Sequence, residues 1–175
     1  MKRYVVVMGL LAMCGGARRL TADEPSAVSF VNEGVVSAPI EQVWRVWSTS
    51  DGYKALGVAL ADVDLRVGGL IRSRYGADGV LGDEQTIENE ILAYEPPRMI
   101  AIRIHKTPAN FPFKDAWKHT WTVVTLTPLA DGRTHVRGAS LGYGADTESV
   151  AMRRFFERGN QQTIDALVAH FSRAR

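Results

Sequence analysis

"DVDLRVGG", residues 62–69, sets two aspartates, an arginine and a glycine pair within eight positions, and its reading decides the fold. A phosphate-cradling glycine loop runs from a strand into a helix, whose first N–H groups meet the anion. Here the glycine pair runs into another strand, with Ile71, Ser73 and Tyr75 on its inner side. The stretch is therefore a strand end and a tight turn. Gly68 and Gly69 supply backbone freedom that residues with a β-carbon lack. Asp62, Asp64 and Arg66 fall on one side, at a spacing suited to pairing of surface charge.

Outward from this corner, a period of two marks strands near 61–66, 69–75, 84–94, 98–105, 118–128 and 134–142. Turn chemistry separates them: "YGADG" (75–79), "YEPPR" (94–98) and "LADGR" (129–133) with its Asp131-Gly132 hairpin signal. Upstream, "SAVSFVNEGVVSA" (26–38) reads as a first strand that ends where Ser37, Ala38 and Pro39 offer a helix start. In "PIEQVWRVW" (39–47), Ile40, Val43, Trp44 and Trp47 recur at helical spacing. Ser48 to Asp51 is a second capping cluster, and "DGYKALGVAL" (51–60) another short helix or turn. The chain closes with a long helix over about Thr147–Phe171, capped by Asp146 and carrying Val150, Met152, Phe155, Phe156, Ile164, Leu167 and Phe171. One strand, two short helices, a run of antiparallel strands and a closing helix make an α+β layout, in which that helix covers the apolar face of the sheet.

Three motifs then carry a resemblance. "VSAPIEQVWRVWS" (36–48), "DVDLRVGGLIRSRY" (62–75) and "AYEPPRMIAIRI" (93–104) resemble, in order, the signatures of the START-like (SRPBCC) superfamily. The nearest branch is that of homologues of the heat-shock-protein ATPase activator and of polyketide cyclases. The likeness covers about residues 28–172 and implies a helix-grip fold: a curved antiparallel sheet of about six or seven strands around a long C-terminal helix, with two short helices after the first strand. It says little about function, because one fold hosts many. One departure bears on the expected pocket: where the family carries a tryptophan after the second helix, this chain has "YKALGVA" (53–59).

The 175 residues, 46% hydrophobic, suit a single core, read over residues 26–173. Before it, Lys2 and Arg3 precede the apolar run "YVVVMGLLAMCGGA" (4–17) and then small residues, the order of a secretory signal, read over residues 1–22. The run is short for a membrane span. Ala17 and Ala22 both fit a cleavage position, and "LAMC" ending at Cys14 leaves a lipoprotein as the lesser reading, since Met13 stands where such signals prefer a small residue. Cutting after Ala22 leaves 17 of the 21 basic side chains against 19 acidic ones, a net charge of −2. The basic excess thus belongs to the leader and is no sign of nucleic-acid binding. Cys14 leaves too, so the mature domain has no disulfide, thiolate nucleophile or cysteine metal ligand.

Candidate chemistry is sparse. "EQTIENEILAY" (84–94) sets Glu84, Thr86, Glu88 and Glu90 on one face, read as solvated and opposite Arg72 and Arg74, with Ile87, Asn89 and Ile91 turned inward. Ser73, Tyr75 and Asn89 are therefore the polar candidates for a cavity wall. His105, His119, His135 and His170 lack metal-ligand spacing, and neither a metal nor a cofactor is expected. "AWKHTWTV" (116–123) can place Trp117, His119 and Trp121 on one strand face, or turn Thr120, Thr122, Val124 and Leu126 inward instead. His119 and Tyr75 are the acid–base candidates. "KTPANFPFKD" (106–115), with Phe111 and Phe113, reads either as a loop over the core or as a flap at a cavity mouth. Gly159 and Asn160 interrupt the last helix, where a close approach to the sheet or to a ligand would compensate the glycine.

The resulting expectation is an exported, periplasmic or secreted domain with no span in its mature form. It binds a small apolar or aromatic molecule between sheet and last helix, lined by Ser73, Tyr75, Asn89, Phe111, Phe113, Trp121, Met152 and Phe156. Two alternatives come from the resemblance. One is a cofactor-free cyclase-like enzyme using His119 or Tyr75, and the other a module that engages a heat-shock ATPase.

Overall fold

The computed structural model describes residues 28–173. The leader read over residues 1–22, its cleavage positions and Cys14 lie outside the described residues. Seven strands form one antiparallel sheet: β1 (Val28–Val36), β2 (Leu60–Val63), β3 (Leu70–Arg74), β4 (Ile87–Glu95), β5 (Met99–Lys106), β6 (Trp121–Pro128) and β7 (Thr134–Leu141). Their order is β1-β7-β6-β5-β4-β3-β2. Between β1 and β2, helices α1 (Ile40–Ser48) and α2 (Ser50–Tyr53) and a 3-10 turn (Lys54–Leu56) carry the chain from one edge of the sheet to the other. The chain then returns strand by strand until β7 lies beside β1, and α3 (Thr147–Arg173) packs back on β1. No helix among the described residues is long and apolar enough to cross a membrane.

The corner at residues 62–69 shows why glycine stands there. Gly68 has φ of 76°, in the left-handed region. A β-carbon on Gly69 would lie 2.1 Å from the carbonyl oxygen of Asp64. The Gly68 N–H donates to Ile91 O at 2.8 Å and the Ile91 N–H to Gly69 O at 2.9 Å, which ties the turn to β4. Asp64 pairs with Arg66 at 2.8 Å, while Asp62 pairs across the strands with Arg72 at 3.2 Å. Both pairs are exposed, worth about 1 kcal/mol or less. Register shifts between β4 and β5, at Glu88/Asn89 and Ile91/Ala93, add local twist to the middle of the sheet.

The helices bury part of their expected stripes: α3 buries Met152, Ile164 and Leu167 but leaves Val150 and Phe155 exposed. α1 buries Ile40, Val43, Val46 and Trp47, while Trp44 is half-buried at the margin of the core. Thr49 caps α2, accepting from the Gly52 N–H at 3.1 Å. Asp146 caps α3 as expected: its carboxylate accepts from the Ser149 N–H at 2.9 Å and the Ser149 hydroxyl at 2.6 Å. The close approach of helix and sheet sits elsewhere than expected. A β-carbon at Gly159 would meet nothing within 4 Å, whereas one at Gly34 of β1 would lie 2.5 Å from Ile164 Cγ2. Gly34 is what lets α3 settle on the sheet, and α3 runs through Gly159 and Asn160 without a break. Ile71, Ile91, Ile100, Val124, Val136 and Leu167 form the centre of the core.

Candidate functional site

The core does not fill the whole space between sheet and helices. A cavity of about 530 Å³ remains, in the range of sites for drug-sized molecules. Trp47, Tyr53, Leu56 and Val58 close it on the α1–α2 side. The sheet contributes Ser73, Ile87, Asn89, Ile102, Thr122 and Val124, and α3 contributes Phe156, Asn160, Thr163 and Ile164 at helical spacing. Tyr53, Leu56 and Val58 come from "YKALGVA", so an aromatic wall survives there: the Tyr53 ring meets Trp47 edge-on at 6.2 Å. Burial, and after it the charge of Tyr75, pushes the Tyr53 phenol well above its ordinary range, and burial does the same for Tyr143. Both stay neutral at physiological pH.

The expected residues divide. Ser73, Tyr75, Asn89, Phe111, Trp121 and Phe156 line the cavity. Phe113, Met152 and His119 are not among its lining residues. Met152 is fully buried in the packing of α3, and Phe113 stands one layer back, its ring 5.4 Å from Phe111 and 5.6 Å from Phe155. The reading of Trp117, His119 and Trp121 as one strand face is corrected. Residues Ala116–His119 form a 3-10 turn, held by Lys118 N–H to Asp115 O at 3.0 Å and Thr120 N–H to Trp117 O at 3.1 Å, and β6 begins only at Trp121. His119 is exposed on that turn, and the alternative face, Thr120, Val124 and Leu126, is the buried one. Tyr75 lies past the end of β3, 66% exposed at the rim.

The "KTPANFPFKD" segment contributes Thr107, Pro108 and Phe111 to the lining. Besides Phe113, Phe111 packs against two rings of α3, Phe155 at 6.1 Å and Phe156 at 6.0 Å. The Ala109 N–H donates to Glu84 O at 2.6 Å, and the Lys114 N–H donates to the Glu148 carboxylate in the first turn of α3. The segment is thus tied on both sides of Phe111, which lines the cavity.

The charged side chains of the lining, Arg74, Asp78 and Arg103, are already paired. Arg72 meets Glu88 at 3.6 Å on the outer face, as expected, but Arg74 leaves that face and buries itself in the loop after β3. Its guanidinium donates to Asp83 at 2.9 Å, Asp78 at 2.8 Å and Gly76 O at 2.5 Å. Gly76 and Gly79 leave the room: a β-carbon at either would lie within 2.6 Å of the guanidinium nitrogens. The hydrogen bond from Arg74 holds the Asp78 carboxyl below the ordinary range. For Asp83, burial works the other way but is outweighed by the Gln85 N–H, the Thr86 hydroxyl and Arg74, so its pKa is also lowered. Arg103, the other cation of the lining, pairs with Glu90 at 2.8 Å. Among the described residues no three His, Cys, Asp or Glu side chains converge as metal ligands.

Sequence reading missed Asn32, Trp47, Tyr53, Arg74 and Asn160 as lining residues. In two of them a polar atom, Asn32 Oδ1 and Trp47 Nε1, is buried without a hydrogen-bond partner among the described residues. Asn32 was open to detection, as a polar residue on the inward alternation Phe30, Asn32, Gly34, Val36 of β1.

A curved seven-stranded antiparallel sheet that grips a long C-terminal helix, with a ligand-sized space between them, defines the helix-grip α+β class. The family model described as "Activator of Hsp90 ATPase homolog 1-like protein" matches residues 37–172, and the chain belongs to that family. A search of curated proteins finds no match. Among solved structures, protein MLL2253 from Mesorhizobium loti is similar at 22% identity and a TM-score of 0.64, covering 83% of this chain and 98% of its own. PFC0360w, an HSP90 activator from Plasmodium falciparum, is similar at 17% identity and a TM-score of 0.57, covering 79% and 91%. CalU16 from Micromonospora echinospora follows at 18% identity and 0.56, covering 81% and 74%. At these identities the likeness is one of fold.

Proposed function

We propose that the chain is an exported binding protein that holds a small, largely apolar molecule between the sheet and α3. The observation that carries this reading is the cavity of about 530 Å³. The space opens to solvent, is lined mainly by apolar side chains with a few polar groups, and falls in the size range of small-molecule sites, which argues for an occupant. Export rests on the charge and hydrophobicity order of residues 1–22. Native mass spectrometry of the protein purified from its own host tests both parts. A mass lacking residues 1–17 or 1–22 together with an apolar adduct is the expected result. An intact N-terminus removes export, and failure of any apolar compound to bind removes the cavity reading.

Membership in the activator family supports a second reading, an interaction with an Hsp90-type ATPase. It expects a measurable rise in the turnover of such an ATPase when the protein is added, and an unchanged rate rejects it. The cyclase-like reading has less behind it. Tyr75 reaches the cavity rim and His119 does not, and neither side chain makes a hydrogen bond that would activate it among the described residues.

A further inference from the structure

We infer that the hydroxyls of Tyr53 and Ser73 are polar contacts for the ligand, and that the cavity therefore selects a neutral molecule bearing a hydroxyl group; the inference rests on the cavity reading above. Tyr53 is 7% exposed and Ser73 4%, and both line the cavity. Neither hydroxyl has a hydrogen-bond partner among the described residues, yet neither is sealed from solvent as Asn32 Oδ1 and Trp47 Nε1 are. Each therefore keeps some surface, and in residues so buried that surface belongs to the cavity they line. The fold brings the two to the same end of it. Ser73 pairs with Ala61 of β2, and the Ala59 N–H donates to Arg74 O at 2.9 Å, which pins the segment after α2 beside the end of β3. Tyr53 lies near enough to Tyr75, two residues beyond Ser73, for the charge of one phenol to act on the other. Asn89 is the diagonal neighbour of Ser73 on the inner face, because Ser73 pairs with Ile87 and Ile71 with Asn89.

A hydroxyl both donates and accepts, so a hydroxyl on the ligand matches Tyr53 or Ser73 whichever way their protons turn. Burial keeps the Tyr53 phenol neutral and its proton available. The charges of the lining argue against an acid. Arg74 is neutralised by Asp78 and Asp83, and Arg103 by Glu90, so a carboxylate would lose its water and meet no unpaired cation. A hydrocarbon fits the apolar walls of Leu56, Val58, Ile87 and Ile102 but takes water from the two hydroxyls and gives them nothing in return. A neutral molecule with a hydroxyl group satisfies both the walls and the hydroxyls.

The test uses three probes of one skeleton, 2-naphthol, 2-methylnaphthalene and 2-naphthoate, whose dissociation constants are measured by equilibrium dialysis against the purified protein at neutral pH. 2-Naphthol should bind about tenfold more tightly than either of the others, the equivalent of roughly 1.4 kcal/mol. Tyr53→Phe keeps the ring against Trp47 and Ser73→Ala keeps the strand, so each variant removes a single oxygen. Each should cut the preference for 2-naphthol over 2-methylnaphthalene about threefold and leave the affinity for 2-methylnaphthalene undiminished. Equal affinities for those two probes in the unmodified protein overturn the inference and leave the cavity reading standing, and so does a preference for the carboxylate, or a preference for 2-naphthol that is unchanged in either variant. If none of the three binds, the cavity reading falls as well. The comparison in the unmodified protein decides the class of ligand even if a variant does not fold.

Discussion

Two glycines that look alike in sequence have opposite roles. Gly34 is the contact point of β1 with α3, and Gly159 faces open space inside a helix. Gly34→Ala should destabilise the protein by about 1–3 kcal/mol, the usual cost of forcing atoms into a packed interface. Gly159→Ala should stabilise it by up to about 1 kcal/mol, because alanine is the better helix former and nothing obstructs it. Urea denaturation midpoints moving in opposite directions would verify the assignment. Sequence alone put a close approach, to the sheet or to a ligand, at Gly159, since a glycine within a helical pattern is conspicuous and one within a Val-rich strand is not. Arg74 eluded the reading for a similar reason: alternation assigns it to the outer face beside Arg72, but β3 ends there and the following loop wraps the guanidinium.

The elements themselves were legible wherever one period ran without competition. The long helix, its Asp146 cap, the hairpin at Asp131-Gly132 and the succession of strands along the chain all follow from local chemistry. Residues 116–121 did not, because the spacing of Trp117, His119 and Trp121 imitates a strand while Asp115 closes a turn through backbone bonds. Two consequences belong to this scale. The Ser149 hydroxyl, and then its N–H, hold the Asp146 carboxyl below the ordinary range. Its folded pKa is thus lower than its unfolded one, so the stabilisation is complete above the unfolded value near 4 and is lost as pH falls through the lower folded value. Thermal midpoints should therefore drop on acidification below about pH 4, and Asp146→Asn should flatten part of that fall. In the flap, Phe113 touches the rings that close the cavity but not the cavity itself. Phe113→Ala should leave equilibrium contacts with a ligand in place while raising its dissociation rate roughly three- to tenfold, the worth of one or two aromatic pairs, read by stopped-flow fluorescence.

At the scale of the whole molecule, the class of fold was accessible because the strand meander and the three motifs occur in order along the chain. The cavity was only half accessible. Its strand residues Ser73 and Asn89 follow from alternation, but Asn32, Trp47 and Asn160 come together only when the first strand, the first helix and the last helix meet. A ligand bound in that space and absent from the unfolded chain should raise stability by about 2.7 kcal/mol at a concentration of a hundred times its Kd. Differential scanning fluorimetry should then show a midpoint shift of a few degrees, growing with the logarithm of ligand concentration.

The closing of β7 and α3 on β1 has a consequence for when this protein can work. Asn32 bonds Glu157 across 125 residues, and the buried Thr134 hydroxyl bonds Ala38 O across 96. Contacts so distant along the chain form late, because the loop they close is long and their reward comes only at the end. A nascent chain emerging from the ribosome therefore has no complete cavity wall until its final helix is synthesised, so a guest of the kind proposed above would be loaded onto the finished protein rather than folded in along the way.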